Sequence, residues 1–184
     1  MHRITAYFTL AIIFIIVIII LTLPYLVISR KRGKDTIRQL GYLAFFYSLF
    51  LIIFATILYT GIDFKPDEYI MSLQPFKWVE KMNTNEIIVE FIPNIMMFIP
   101  IGIFIPIVFR KMRKSYKSFL FVFAITYSIE TFQYFIGRSA DIDDIIANVT
   151  GGMIGYVIFK FCDFVFKDKG WWRRLLGLNV NLQE

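Results

Sequence analysis

Three stretches of this chain, Ile4–Ile28, Leu40–Ile62 and Phe91–Phe109, contain no charged side chain. A hydrocarbon layer about 30 Å thick is crossed by about 20 helical residues rising 1.5 Å each, so uncharged runs of this length constrain the fold more than any other feature. Two further stretches come close. Ser118–Gly137 carries one charge, Glu130, and Ile145–Cys162 carries only Lys160, near an end from which its long stem can bring the ammonium to the interface. Of the 184 residues, 58% are hydrophobic and only 18% charged, the balance of a membrane protein rather than of a soluble core. The expected fold is an all-α polytopic membrane protein with about five transmembrane helices. The first stretch is expected to persist as a helix, since its apolar run is much longer than a signal-peptide core and no Ala-x-Ala-like site follows.

Lys and Arg set the expected orientation. With the N-terminus outside, fifteen of the 20 basic residues fall in the inner segments 30–38, 110–117 and 160–174. That asymmetry predicts N-terminus out and C-terminus in. The net charge of +6 lies in short loops and a tail beside apolar spans, which points to anionic lipid at the inner leaflet and away from nucleic acid. A single cysteine, Cys162, excludes an intramolecular disulfide. No repeat or low-complexity linker divides the chain, so 1–184 reads as one domain.

The longest non-spanning stretch, Asp63–Glu90, holds Leu73-Gln74-Pro75-Phe76 and Trp78. This cluster suits an outer headgroup zone, either as an interfacial or re-entrant segment or as an ordinary loop. Asn83 and Glu86 have capping-box spacing, so the third helix is expected to start before its apolar run. Within that helix Pro93, Pro100 and Pro106 either bend it for packing or open backbone carbonyls toward a protein-lined space.

Polar residues in the last two stretches follow helical spacing. Thr126, Glu130, Gln133 and Gly137 form one stripe, and Asp144, Asn148, Gly151 and Gly155 form another, each with steps of four, three and four. Asn94 enters from the same side, Asp141 lies one turn before Asp144, and Asp143 is expected to point elsewhere. An unpaired polar group facing lipid costs several kcal/mol, so these groups are expected to converge on a shared interior, with the glycines allowing close helix approach. An outward-opening polar pocket follows. Its expected ligand-binding residues are Asn94, Glu130, Gln133, Arg138, Asp141, Asp144 and Asn148. Arg138 either anchors the helix end or pairs with Asp141, or aims its fork at a phosphate or carboxylate. Asp141 and Asp144 are candidate oxygen ligands for a divalent cation, Mg²⁺ or Ca²⁺.

The run Asn94-x-x-x-Phe98-x-Pro100-x-Gly102, then Glu130-x-x-Gln133, then Gly137-Arg138-Ser139-Ala140-Asp141-Ile142-Asp143-Asp144 with Asn148, Gly151 and Gly155-Tyr156, resembles the signature of the VanZ-like family. Gln74-Pro75-Phe76 is similar to that family's Pro-Phe segment, without the Asn usually found just upstream, and the motif-bearing part runs from about 73 to 156. The resemblance implies a multi-pass bacterial cytoplasmic-membrane protein linked to resistance against teicoplanin-type, lipid-tailed glycopeptides. It implies no settled biochemical activity.

Three function classes follow. The first is a binder of an anionic or amphiphilic envelope ligand, such as a polyprenyl-phosphate-linked cell-wall precursor or a lipoglycopeptide antibiotic, with membrane lipids as partners. The second is an enzyme on a lipid-linked precursor, with Glu130 or Asp144 as candidate catalytic base; no Ser-His-Asp or Cys-His arrangement accompanies them. The third is a proton-coupled transporter titrating Glu130, which five helices without a visible repeat disfavour.

Overall fold

The computed structural model describes residues 18, 20–58, 70–76 and 91–178. Helix α1 covers 20–31 and packs beside α2 (Thr36–Ile53) through Tyr25 Oη, which donates to Gln39 Oε1 at 2.5 Å. Asp35 fixes the start of α2 by accepting the Arg38 amide at 2.9 Å, the role of an N-cap carboxylate. Beyond Ile53 the helix widens into a π-helix over Phe54–Leu58. Helix α3 (Ile92–Val108) keeps Pro93 in its first turn, where no amide donor is needed, and carries Pro100 and Pro106 inside. A 3₁₀ turn, Arg110–Arg113, leads to α4 (Ser115–Phe135).

Helix α4 ends in a Schellman motif. Gly137 adopts φ 79, its amide donates to Tyr134 O at 3.3 Å, and the Arg138 amide reaches back to Gln133 O at 3.0 Å. The chain then forms strand β2 (Ala140–Asp141), which pairs in parallel with β1 (Met71–Ser72), Met71 opposite Ala140 and Ser72 opposite Asp141. Asp141 caps α5 (Ile142–Phe166) by accepting the Asp143 amide at 2.9 Å. A short α6 (Gly170–Leu175) follows.

Helices α3 and α5 form the most extensive pair, and their glycines explain how. A Cβ on Gly102 would strike the Gly152 carbonyl, one on Gly151 the Ile95 carbonyl, and one on Gly155 the Ile99 carbonyl. The two backbones are therefore in direct contact, the small-residue packing that helices use where no water drives them together. A Cβ on Gly152 would also meet Val122 Cγ1 at 2.6 Å, which seats α4 on the same strip. Phe98, Ile101 and Ile105 of α3 are fully enclosed between α5 and Phe45 and Ile52 of α2.

The distribution of exposure inverts that of a soluble protein. Val157, Phe161 and Phe164 of α5 are 64%, 67% and 74% exposed, while Glu130 and Asn148 are 4% and 1% exposed. Two helical stretches, Thr36–Ile57 and Ile142–Phe166, are long and apolar enough to cross a membrane, and α3 is apolar but shorter.

At the α6 end, two arginines collect orphan carbonyls. Arg38 Nη1 donates to Ile107 O and Leu175 O, both at 2.7 Å, and its Nη2 to Val108 O at 2.8 Å. Arg113 Nε donates to Pro106 O and its Nη2 to Leu176 O, both at 3.0 Å. The last turns of α3 and α6 thereby gain donors that their own helices cannot supply. At the opposite end, Asp143 Oδ1 accepts the Phe76 amide at 2.8 Å, holding a residue whose φ is +60. That positive φ is a strained conformation for a bulky side chain.

Several expected boundaries shift. Helix α2 starts at Thr36 instead of Leu40, α4 at Ser115 instead of Ser118, and α5 runs Ile142–Phe166 instead of Ile145–Cys162. Absence of charge marks the hydrocarbon-compatible part of a helix, whereas a cap such as Asp35 or Asp141 sets where its hydrogen bonding begins. Asp143 points away from the polar stripe, 8% exposed and turned onto the Phe76 amide. Most of Ile4–Ile28, the end of Leu40–Ile62, most of Asp63–Glu90 and the Asn83–Glu86 capping box lie outside the described residues.

Two outcomes follow from these contacts. Gly151→Leu and Gly155→Ala should each force α3 from α5, cutting folded yield in the membrane fraction well below half, Gly151→Leu more severely; size-exclusion recovery after detergent extraction measures this. Asp143→Ala removes a charged acceptor worth about 1.5–3 kcal/mol, so hydrogen exchange at Phe76 should accelerate on the order of tenfold or more while α5 amides stay protected.

Candidate functional site

Helix α4 buries Thr126, Glu130 and Gln133 on the face it turns toward α5 and the π-helix. The next residue of the sequence stripe, Gly137, ends the helix and aims Arg138 back across that face. Arg138 Nη1 donates to Thr56 O at 2.6 Å, and Gln133 Nε2 donates to the same oxygen at 3.1 Å. One carbonyl of a π-helix thus receives two side chains from the end of α4. Such bulges occur often at functional sites because they re-aim backbone groups.

The remaining contacts tie α3, α4, β2 and α5 together. Glu130 Oε2 accepts the Asp141 amide at 3.1 Å, Asn94 Nδ2 donates to Asp144 Oδ1 at 2.6 Å, and Asn148 Nδ2 donates to Thr126 Oγ1 at 2.8 Å. All seven expected ligand-binding residues therefore sit in one connected set of elements, although the links run through Thr56, Thr126 and the Asp141 backbone. Arg138 is not paired with Asp141 among the described residues. The charges of Asp144, Arg138 and Asp141 nevertheless act on Glu130 through space.

Among the described residues, two polar atoms within this set have no hydrogen-bond partner, Gln133 Oε1 and Asn148 Oδ1. Both belong to side chains at most 4% exposed. Orphaned buried acceptors are costly, about 1–3 kcal/mol each, and call for a partner. Among the described residues no three His, Cys, Asp or Glu side chains are grouped to hold a metal ion. Asp141 and Asp144, the candidate metal ligands, each engage one carboxylate oxygen with an amide donor, the Asp143 N–H and Asn94 Nδ2 respectively.

Beside the polar set, an apolar cleft of about 370 Å³ opens between α2 and α4. Leu49, Ile53 and Ile57 line one wall and Phe121, Ile125 and Ile129 the other. Ile57 and Ile129, which line the cleft, are the chain neighbours of Thr56 and Glu130.

Three site residues escaped sequence reasoning. Thr126 lay on the polar stripe but was assigned no role. Asp143 was signalled by its place in Asp141-Ile142-Asp143-Asp144, a run in which one carboxylate caps and another reaches a loop. Thr56 contributes a backbone carbonyl within an apolar run, and no residue type marks it.

The VanZ/LLP1 family model matches residues 7–164. Protein VanZ of Enterococcus faecium is 34% identical over 71 residues, which cover 38% of this chain and 44% of that relative. The chain thus aligns with less than half the length of that curated relative. No solved structure matches the chain. With a family model aligned over most of its length and the motif residues gathered at one junction of α3, α4 and α5, the chain belongs to the VanZ/LLP1 family.

Proposed function

We propose that this chain is a multi-pass protein of the bacterial cytoplasmic membrane whose polar cluster binds an anionic or amphiphilic envelope ligand near the outer leaflet. Five spans, N-terminus out and C-terminus in, are the reading that leaves fifteen of 20 basic residues on the cytoplasmic side. The observation that carries the ligand class is the convergence of Arg138 and Gln133 on Thr56 O, with an apolar cleft lined by Ile57 and Ile129, the chain neighbours of Thr56 and Glu130. A guanidinium fixed at a polar boundary complements a phosphate or carboxylate, and the cleft complements a hydrocarbon tail.

Ligands with that division include a polyprenyl-phosphate-linked cell-wall precursor and a lipid-tailed glycopeptide. Glu130, Gln133, Asn94 and Asn148 shape the pocket, and Asp141 and Asp144 set its field or, with a divalent cation such as Mg²⁺ or Ca²⁺ bound, neutralise an anionic ligand. Sequestering or redistributing such a ligand is how the protein would contribute to resistance against teicoplanin-type drugs. Catalysis on a lipid-linked precursor, with Glu130 or Asp144 as base, is the alternative.

Topology is tested by a cysteine introduced at Lys114 in a Cys162→Ser background. It should resist membrane-impermeant maleimide in intact cells and react after permeabilisation; labelling of intact cells would invert the orientation. The site is tested by Glu130→Gln, Arg138→Lys and Asp144→Asn, scored for teicoplanin susceptibility in a sensitised host at matched membrane expression. Loss of one charged hydrogen bond weakens binding on the order of tenfold, so each variant should lose most of its protection. Full protection by all three would reduce the cluster to scaffold.

A further inference from the structure

The polar cluster has an imbalance that an anion does not resolve. Its side-chain amide nitrogens already donate: Gln133 Nε2 to Thr56 O, Asn148 Nδ2 to Thr126 Oγ1, and Asn94 Nδ2 to Asp144 Oδ1. What remains unmatched is a pair of enclosed acceptors, Gln133 Oε1 and Asn148 Oδ1. Glu130, one turn from Gln133 on the same face, adds a carboxylate whose Oε2 takes a single backbone amide. Among the described residues, Asp141 and Asp144 add negative charge near this face and Arg138 adds positive charge. A group able to satisfy these atoms must bring hydrogen-bond donors, and in this field positive charge favours it.

Position narrows the chemistry. Arg138 Nη1 and Gln133 Nε2 lie 2.6 and 3.1 Å from one oxygen, so the guanidinium and the Gln133 amide are neighbours. A ligand spanning them carries an acceptor-rich anion at one end and N–H donors a few ångströms away. We propose that Glu130 and the orphaned Gln133 Oε1 bind a primary ammonium, with Asn148 Oδ1 as the acceptor one turn deeper, so that the site takes a zwitterionic amine-bearing phosphate headgroup. The proposal rests on the anion-binding role given to Arg138 above, and it adds the cationic half of the ligand. The ammonium can belong to a membrane lipid headgroup or to a small soluble amine.

Headgroup competition separates these sources. The full chain is reconstituted in nanodiscs of phosphatidylethanolamine, phosphatidylcholine and phosphatidylglycerol in equal parts with identical acyl chains, and the retained lipid is counted by native mass spectrometry. Phosphatidylethanolamine offers three N–H donors, phosphatidylcholine carries the same charge with none, and phosphatidylglycerol offers only hydroxyls. Retention of phosphatidylethanolamine at least tenfold above phosphatidylcholine is expected. Glu130→Gln and Gln133→Leu should erase that preference. Arg138→Gln should instead weaken both phosphatidylethanolamine and phosphatidylglycerol, so that its silence would count against the anion reading alone.

Displacement of the retained lipid by free ethanolamine would assign the subsite to the ammonium itself; displacement only by the intact lipid would assign it to the whole headgroup. Equal retention of phosphatidylethanolamine and phosphatidylcholine by the wild-type protein would leave water as the partner of Gln133 Oε1 and overturn the proposal. The wild-type comparison holds even where a variant fails to fold.

Discussion

Backbone contact between α3 and α5 is the constraint on which the polar cluster depends. Gly102, Gly151 and Gly155 leave out side chains that would strike the facing backbone. Only at this separation does Asn94 of α3 reach Asp144, one end of the contact, with a 2.6 Å bond. The same strip seats Val122, which brings α4 close enough for Asn148 to reach Thr126. Apolar surroundings give no hydrophobic drive to such packing, so close dispersion contact and interhelical hydrogen bonds must supply the association. Polar chemistry and close packing are here one arrangement: widening the helices would orphan the amides, and losing the amides would remove a reason for the helices to close.

Much of this was legible in the sequence. Two stripes with steps of four, three and four placed Glu130 and Gln133 on one face and Asp144, Asn148 and the glycines on another, and both faces are buried in the fold. The uncharged run Phe91–Phe109 located α3 (Ile92–Val108) to within one residue at each end, whereas α2 begins four residues before Leu40. Caps were less legible, because Asp35 and Asp141 act through one backbone amide each and lie outside the apolar pattern. Least legible was Thr56. Its carbonyl becomes an acceptor because the helix changes pitch at Phe54–Leu58, a property of backbone geometry that apolar residues on either side do not encode.

Asp143 shows where a single-helix argument stops. On a wheel drawn from Asp144 it diverges from the stripe, and that geometry is correct for α5 considered alone. The partner it finds is a backbone amide of the distant 70–76 segment, brought near by the short parallel pairing of Met71–Ser72 with Ala140–Asp141. Long-range neighbours of this kind are absent from periodicity, which describes only the element that carries it.

Arg38 and Arg113 bear on how charge at the α6 end is counted. Both add to the basic tally of their segments, yet their donors are turned inward onto five carbonyl oxygens of Pro106, Ile107, Val108, Leu175 and Leu176. Charge and reach are separate properties of an arginine. These two contribute to the long-range potential at this end, while their nitrogens are committed to helix-end carbonyls. Lys111, Lys114 and Lys169 are exposed on the surface at this end. Replacing either inward arginine by lysine would keep the sign of the potential and unfasten the helix ends.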